Sequence, residues 1–134
     1  MIMKNREIKF RGLHNGEWCY GYYFKHPTSD THSIFLSDGN GSRIVDKESV
    51  GQYIGLKDKI GVDVYEDDIV KSFSIDEGET IDIIGFDSGQ FVLINPEKLS
   101  WPVGDYAHSN IEVIGNIYHN PELVTPPLLI QGDK

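Results

Sequence analysis

The densest group of carboxylates in the chain is Asp63-Val-Tyr-Glu-Asp-Asp68, and clustered carboxylates do two kinds of chemistry: they hold hard cations and they move protons. A cation site needs several oxygens converging from separated positions, whereas carboxylates adjacent in sequence diverge on an extended backbone. Asp67 and Asp68, standing just before an apolar run, therefore read as a turn that keeps charge in water. Acid–base work needs a partner, and the histidines at positions 14, 26, 32, 108 and 119 contain no His-x-x-x-His pair and no His-Glu-x-x-His. A small hydrolase built from this chain would draw Asp58, Glu66 or Asp68 together with His108 or His119 from distant loops.

Other candidates resolve into architecture. Ser37-Asp-Gly-Asn-Gly-Ser42 resembles a calcium loop with Glu48 as its last ligand, but that register puts Gly39 and Gly41 where side-chain oxygens belong and Ser42 where the sharp turn wants glycine. Asp, Asn and Gly in such a run make a hairpin turn. Cys19 sits in an aromatic strand, without the cationic neighbour or helix N-terminus that activates a thiol. The glycines give neither a P-loop nor Gly-x-Gly-x-x-Gly before a helix, so no nucleotide cofactor is indicated. Trp18, Tyr20, Tyr22, Tyr23 and Phe24, with Lys4, Arg6, Lys9, Arg11 and Lys25 nearby, offer a base-stacking platform as an alternative to core packing. No catalytic, cofactor-binding or metal-ligating residue is assigned, and no cofactor is expected.

Composition narrows the classes further. Twelve Lys and Arg against 21 Asp and Glu give a formal charge of −9 in 134 residues, which opposes the phosphate neutralisation that nucleic-acid binding uses. One cysteine rules out an internal disulfide framework and suits a reducing cytoplasm. The N-terminus turns charged before an apolar stretch develops, and the apolar run Pro126-Pro-Leu-Leu-Ile130 falls far short of a membrane span of about 20 residues.

The elements that must position these groups are strands. Ile8–Arg11 alternates, Asn15-Gly16 is a tight-turn pair, and Glu17–Lys25 puts Trp18, Tyr20, Tyr22 and Phe24 on one face as the expected local core. Ile34–Leu36 and Arg43–Val45 make a second hairpin, and Asp46–Ser49 one helical or 3₁₀ turn. In the central run Gly51, Gly55 and Gly61 suggest turns wrapping Tyr53, Leu56 and Tyr65, with Asp58 and Asp68 accepting hydrogen bonds from turn amides. Ile69–Phe73, Thr80–Phe86 and Gln90–Ile94 form a meander. Residues 95–110 form a loop anchored by Trp101, and Ile111–Tyr118 returns as a last strand. The expected fold is mainly β, with antiparallel sheets and hairpins, little helix, and a C-terminal half resembling an SH3-like barrel. Residues 1–125 make one domain, with lobes at 6–50 and 51–124, and residues 126–134 form a loosely ordered tail.

Three segments carry a family resemblance: Arg6-Glu-Ile-Lys-Phe-Arg11, the central run from Gln52 to Val70, and Ile111-Glu-Val-Ile-Gly-Asn-Ile-Tyr-His-Asn-Pro-Glu-Leu123. Together they resemble the YopX family of phage and prophage proteins. The matching family segment usually runs Tyr-Glu-Gly-Asp-Ile-Val, so this chain departs from it at Asp67, which fits a turn position better than a ligand position. The resemblance brings no catalytic residue with it. It implies a phage- or prophage-derived protein in the host cytoplasm, non-catalytic, binding a phage or bacterial host protein or associating with itself through an exposed strand edge.

Overall fold

The computed structural model describes residues 6–76, 78–95, 100–103 and 110–124. The chain divides into two compact units, Met1–Gly55 and Leu56–Lys134. His108 and the tail 126–134 lie outside the described residues, as does the side chain of Trp101.

In the first unit, β1 (Phe10–His14), β2 (Glu17–Lys25), β3 (His32–Leu36), β4 (Ser42–Val45) and β5 (Gly51–Lys57, which runs on past Gly55) are antiparallel in the order β4-β3-β2-β1-β5. Asn15 and Gly16, with φ of 52° and 83°, close the first hairpin as the Asn-Gly pair predicts. A 3₁₀ turn at Lys47–Ser49 follows β4, and its buried Ser49 serves β1: the Leu13 amide donates to Ser49 Oγ at 2.8 Å, while the Asp46 amide donates to the Leu13 carbonyl at 2.9 Å. The imidazole Nδ1 of His14 donates to the Ile44 carbonyl at 2.8 Å. β4 is thus tied back to β1.

On β1 the expected face is buried, with Arg11 opposite Tyr20 and Leu13 opposite Trp18, but across β2, β3 and β4 the inner face is the opposite of the one expected. Ile34 and Val45 are buried, whereas Tyr20, Tyr22 and Phe24 are exposed. The reason is steric. The other face of β1 and β2 carries Gly12 and Gly21, which let neighbouring chain approach closely: a Cβ at Gly12 would lie 2.8 Å from a methyl of Val45, and one at Gly21 would fall on the backbone carbonyl oxygen of Phe35. The side that can close is the side with glycines, so the aromatic row is left outside.

In the second unit, β6 (Asp63–Tyr65) precedes β7 (Asp68–Ser74), β8 (Gly78–Asp87), β9 (Gln90–Ile94), β10 (Ser100–Pro102) and β11 (Ile111–Asn116). β7 to β11 form a five-stranded antiparallel sheet ordered β10-β9-β8-β7-β11. This order is linear, with β10 and β11 as edges, so the described strands do not show the closure of an SH3-like barrel. β10 is also a correction to the loop expected over 95–110. Val64, Tyr65, Ile69, Val70, Ile84, Val92, Leu93, Val103 and Ile111 are buried. The central run holds two strands, β5 and β6, where turns were expected; turns remain at residues 59–61 and 66–67, and Gly55 within β5 and Gly61 have φ of 92° and 93°, which only glycine adopts cheaply. Tyr53 and Tyr65 are buried as architectural groups, while Leu56 is only half-buried.

Candidate functional site

The carboxylates offered for catalysis are occupied by backbone. Asp58, almost wholly buried, accepts from the amides of Ile60 and Val62 through Oδ1 at 3.0 and 2.9 Å, and from the Val113 amide through Oδ2 at 2.9 Å. It therefore closes its own turn and pins that turn to β11, whose Ile111 carbonyl also accepts from the Lys59 amide at 3.1 Å. Asp68 Oδ2 accepts from the Tyr65 amide at 2.8 Å. Asp67 has φ of 72°, the left-handed conformation for which the family segment has glycine, and its carboxylate accepts from the Tyr118 hydroxyl at 2.9 Å. The backbone amide of His119 donates to Asn116 Oδ1 at 2.9 Å. Among the described residues no three His, Cys, Asp or Glu side chains are grouped to hold a metal ion.

A carboxylate–histidine hydrogen bond does exist, between Asp30 and His32 rather than among the residues offered for acid–base work. His32 Nε2 donates to Asp30 Oδ1 at 3.0 Å, and its Nδ1 accepts from the Tyr23 hydroxyl at 2.6 Å, which sets the tautomer of the neutral ring. Lys47 Nζ donates to Asp30 Oδ2 at 2.9 Å. The Lys47 and His32 hydrogen bonds hold the Asp30 carboxyl down to about 2, and the Asp30 hydrogen bond pushes the Lys47 amine up. The Tyr23 ring stacks on His32 and packs against Phe10. The chain of contacts ties β2, β3 and the 3₁₀ turn together, which is a brace. The signal for it lay in the β2–β3 register: with Lys25 opposite His32, Tyr23 and His32 become diagonal neighbours on one face.

The cations near the aromatic row are also engaged. The Arg11 guanidinium is buried 3.9 Å from the centre of the Trp18 ring, Lys9 lies 4.7 Å over Tyr53, and Lys25 donates to the carbonyls of His26 and Ser29. Cys19 borders a shallow recess beside Trp18 and Arg43. Burial pushes its thiol up, away from the reactive thiolate.

What remains is the outer face of β2, β3 and β4. Tyr20, Tyr22, Phe24, Phe35 and Ile44 are 43, 66, 42, 48 and 64 % exposed. The register makes them one surface: Tyr22 is opposite Phe35, Phe24 opposite Ser33, and Ser33 opposite Ile44. Phe24 and Phe35 meet edge to face at 6.0 Å. With aromatic side chains of roughly 150–250 Å² each, the exposed part is on the order of 500 Å², the size at which an apolar patch on a monomer is often functional. In the second unit the exposed Phe73 is opposite Glu79, and the exposed Phe86 is opposite Phe91, their rings meeting edge to face at 5.1 Å.

The chain matches the YopX protein family over residues 9–125 and belongs to that family. Among solved structures it is similar to protein EF1440 from Enterococcus faecalis, with a TM-score of 0.56 and 22 % identity over 90 % of this chain and 99 % of that one, a likeness of fold. No curated protein matches. Among the described residues no helix is long and apolar enough to cross a membrane.

Proposed function

We propose that the chain is a non-catalytic protein-binding or self-associating module whose docking surface is the outer face of β2, β3 and β4. The observation that carries this reading is the continuous exposure of Tyr20, Tyr22, Phe24, Phe35 and Ile44 on a chain otherwise rich in surface charge. Large apolar groups left in water across three strands cost free energy that a bound protein surface recovers. Asp58 and Asp68, spent on backbone amides, support the non-catalytic half of the reading. Phage or prophage origin and a bacterial cytoplasmic setting follow the family resemblance. The test is a quantitative comparison of Tyr22→Ser/Phe35→Ser with the wild type as bait in lysogenic cell extract. A partner retained by the wild type and lost by the double variant supports the face; equal retention by both removes it.

A further inference from the structure

We infer that the occupant of this face is a second copy of the same chain, packed sheet on sheet about a two-fold axis; the inference rests on the docking reading above and names its partner. Three observations argue for it. The first is charge. Alternation along the strands sends Glu17, Lys25 and Arg43 to the other side, and β2, β3 and β4 present Tyr20, Tyr22, Phe24, Ser33, Phe35, Ser42 and Ile44 here with no formal charge. For a molecule of net charge −9, an uncharged face is where two copies can meet without setting carboxylate against carboxylate.

The second is area. About 500 Å² of apolar surface from each copy comes to roughly 1,000 Å² in all, the level at which a specific interface becomes stable once a polar rim is added. That area suits a reversible dimer with a dissociation constant on the order of micromolar rather than an obligate one. The third is the character of the edges. β4 is held by His14 and Leu13, β11 by Asp58 and Lys59, and β10 contains Pro102, which lacks an amide hydrogen. Strand addition is thus obstructed at these edges while the face stays open. Its relief is also self-complementary: Ser33 and Ser42 are low points between the projecting Phe24, Phe35 and Ile44, so a two-fold can seat the aromatic rings of one copy over the serines of the other.

Sedimentation velocity from about 1 to 300 μM tests the inference. The wild type is expected to shift from 15.2 kDa toward twice that mass, and added salt should strengthen the shift, because it screens repulsion between two acidic chains. Phe35→Glu and Phe35→Lys, each placing like charges across the axis, should raise the dissociation constant at least 100-fold, and an equimolar mixture of the two should recover a dimer. Tyr22→Lys, at the most exposed position of the row, serves as a second disruptive variant should a Phe35 variant misfold by circular dichroism. A wild type that stays monomeric at the highest concentration, or variants that dimerise like the wild type, overturns the inference. If the wild type is monomeric yet the Ser double variant still loses its lysate partner, the docking face stands and the second copy is the wrong occupant. If both measurements ignore the face, the docking reading falls with it.

Discussion

Tyr22 on β2 and Tyr65 on β6 are the same side chain in opposite situations, 66 % and 3 % exposed, and the contrast extends to the regions around them. The first unit turns glycines inward at Gly12 and Gly21 and leaves its aromatic row in water. The second turns its aliphatic row inward and takes carboxylates with it, Asp58 and Asp68 among the backbone amides they hold. A buried carboxylate draws the eye as chemistry and an exposed aromatic as loose packing. Here the buried polar groups do the work of backbone, and the exposed apolar ones are the surplus that architecture does not explain.

The comparison breaks most directly at Asp58. Asp58→Ala strips the part-buried amides of Ile60, Val62 and Val113 of their acceptor, and at about 1–3 kcal/mol for each donor left without a partner, partly offset by entering water, the expected loss is about 4 kcal/mol. Asp58→Asn keeps one oxygen but turns an amide NH₂ toward a backbone N–H, and should lose about half as much. Thermal denaturation measures both; an Asp58→Ala protein as stable as the wild type, with a binding defect instead, would return this carboxylate to the functional column.

Comparable in size is the contrast between the two tyrosines. Tyr65→Ala should cost about 3–5 kcal/mol as a large-to-small change in a closed core, and Leu56→Ala, half-buried, roughly half that. Tyr22→Ser should stay within about 0.5 kcal/mol, as surface changes do. Chemical denaturation of the three variants sharpens the comparison if they fall in that order. A Tyr22→Ser loss as large as that of Tyr65→Ala would mean that the row is core after all.

Asp67 is subtler, because two effects of similar size oppose each other. Replacing it with Gly relieves a left-handed backbone at φ 72°, worth about 1 kcal/mol, and loses the Tyr118 hydroxyl bond to the carboxylate, worth about 1.5 kcal/mol. The net change should be under about 1 kcal/mol. Tyr118→Phe should cost stability in the wild type and nothing further in the Asp67→Gly background, a double-mutant cycle that separates the hydroxyl bond from the backbone term.

These outcomes bear on how much the sequence could say. Local chemistry was legible: the Asn15-Gly16 turn, the 3₁₀ turn at Lys47–Ser49, the meander through β7, β8 and β9, and the family segments all rest on residues near one another in the chain. Alternation along β2 was legible too, but alternation names two faces without saying which one closes. That choice is made by Gly12 against Val45 and Gly21 against Phe35, contacts between strands. The strand character of β5 was hidden by its glycines, since its partner β1 lies 40 residues away. The brace through Tyr23, Asp30, His32 and Lys47 was invisible for the same reason: it exists only once the β2–β3 register is drawn.

The smallest expected effect belongs to that brace, and it separates an exposed carboxylate from the buried ones. Asp30 is held to about 2, below its usual 3.8, first by the Lys47 hydrogen bond and then by that of His32. A depressed carboxyl contributes stability above its unfolded value and loses it as pH falls through the folded one, so the contribution is intact above about pH 4 and fades toward pH 2. Because Asp30 stands in water, salt screens the pair and global stability near neutral pH should hardly register Lys47→Met. The carboxyl itself should register it: NMR titration is expected to place the Asp30 midpoint about 2 in the wild type and nearer 3.8 in Lys47→Met, with a smaller rise in His32→Gln. If Lys47→Met left the midpoint unmoved, the lysine would not be its principal partner. If it instead unfolded the first unit, this surface brace would be holding the sheet as firmly as Asp58 is argued to hold its turn, and the division between the two regions would fail where it is most exposed to water.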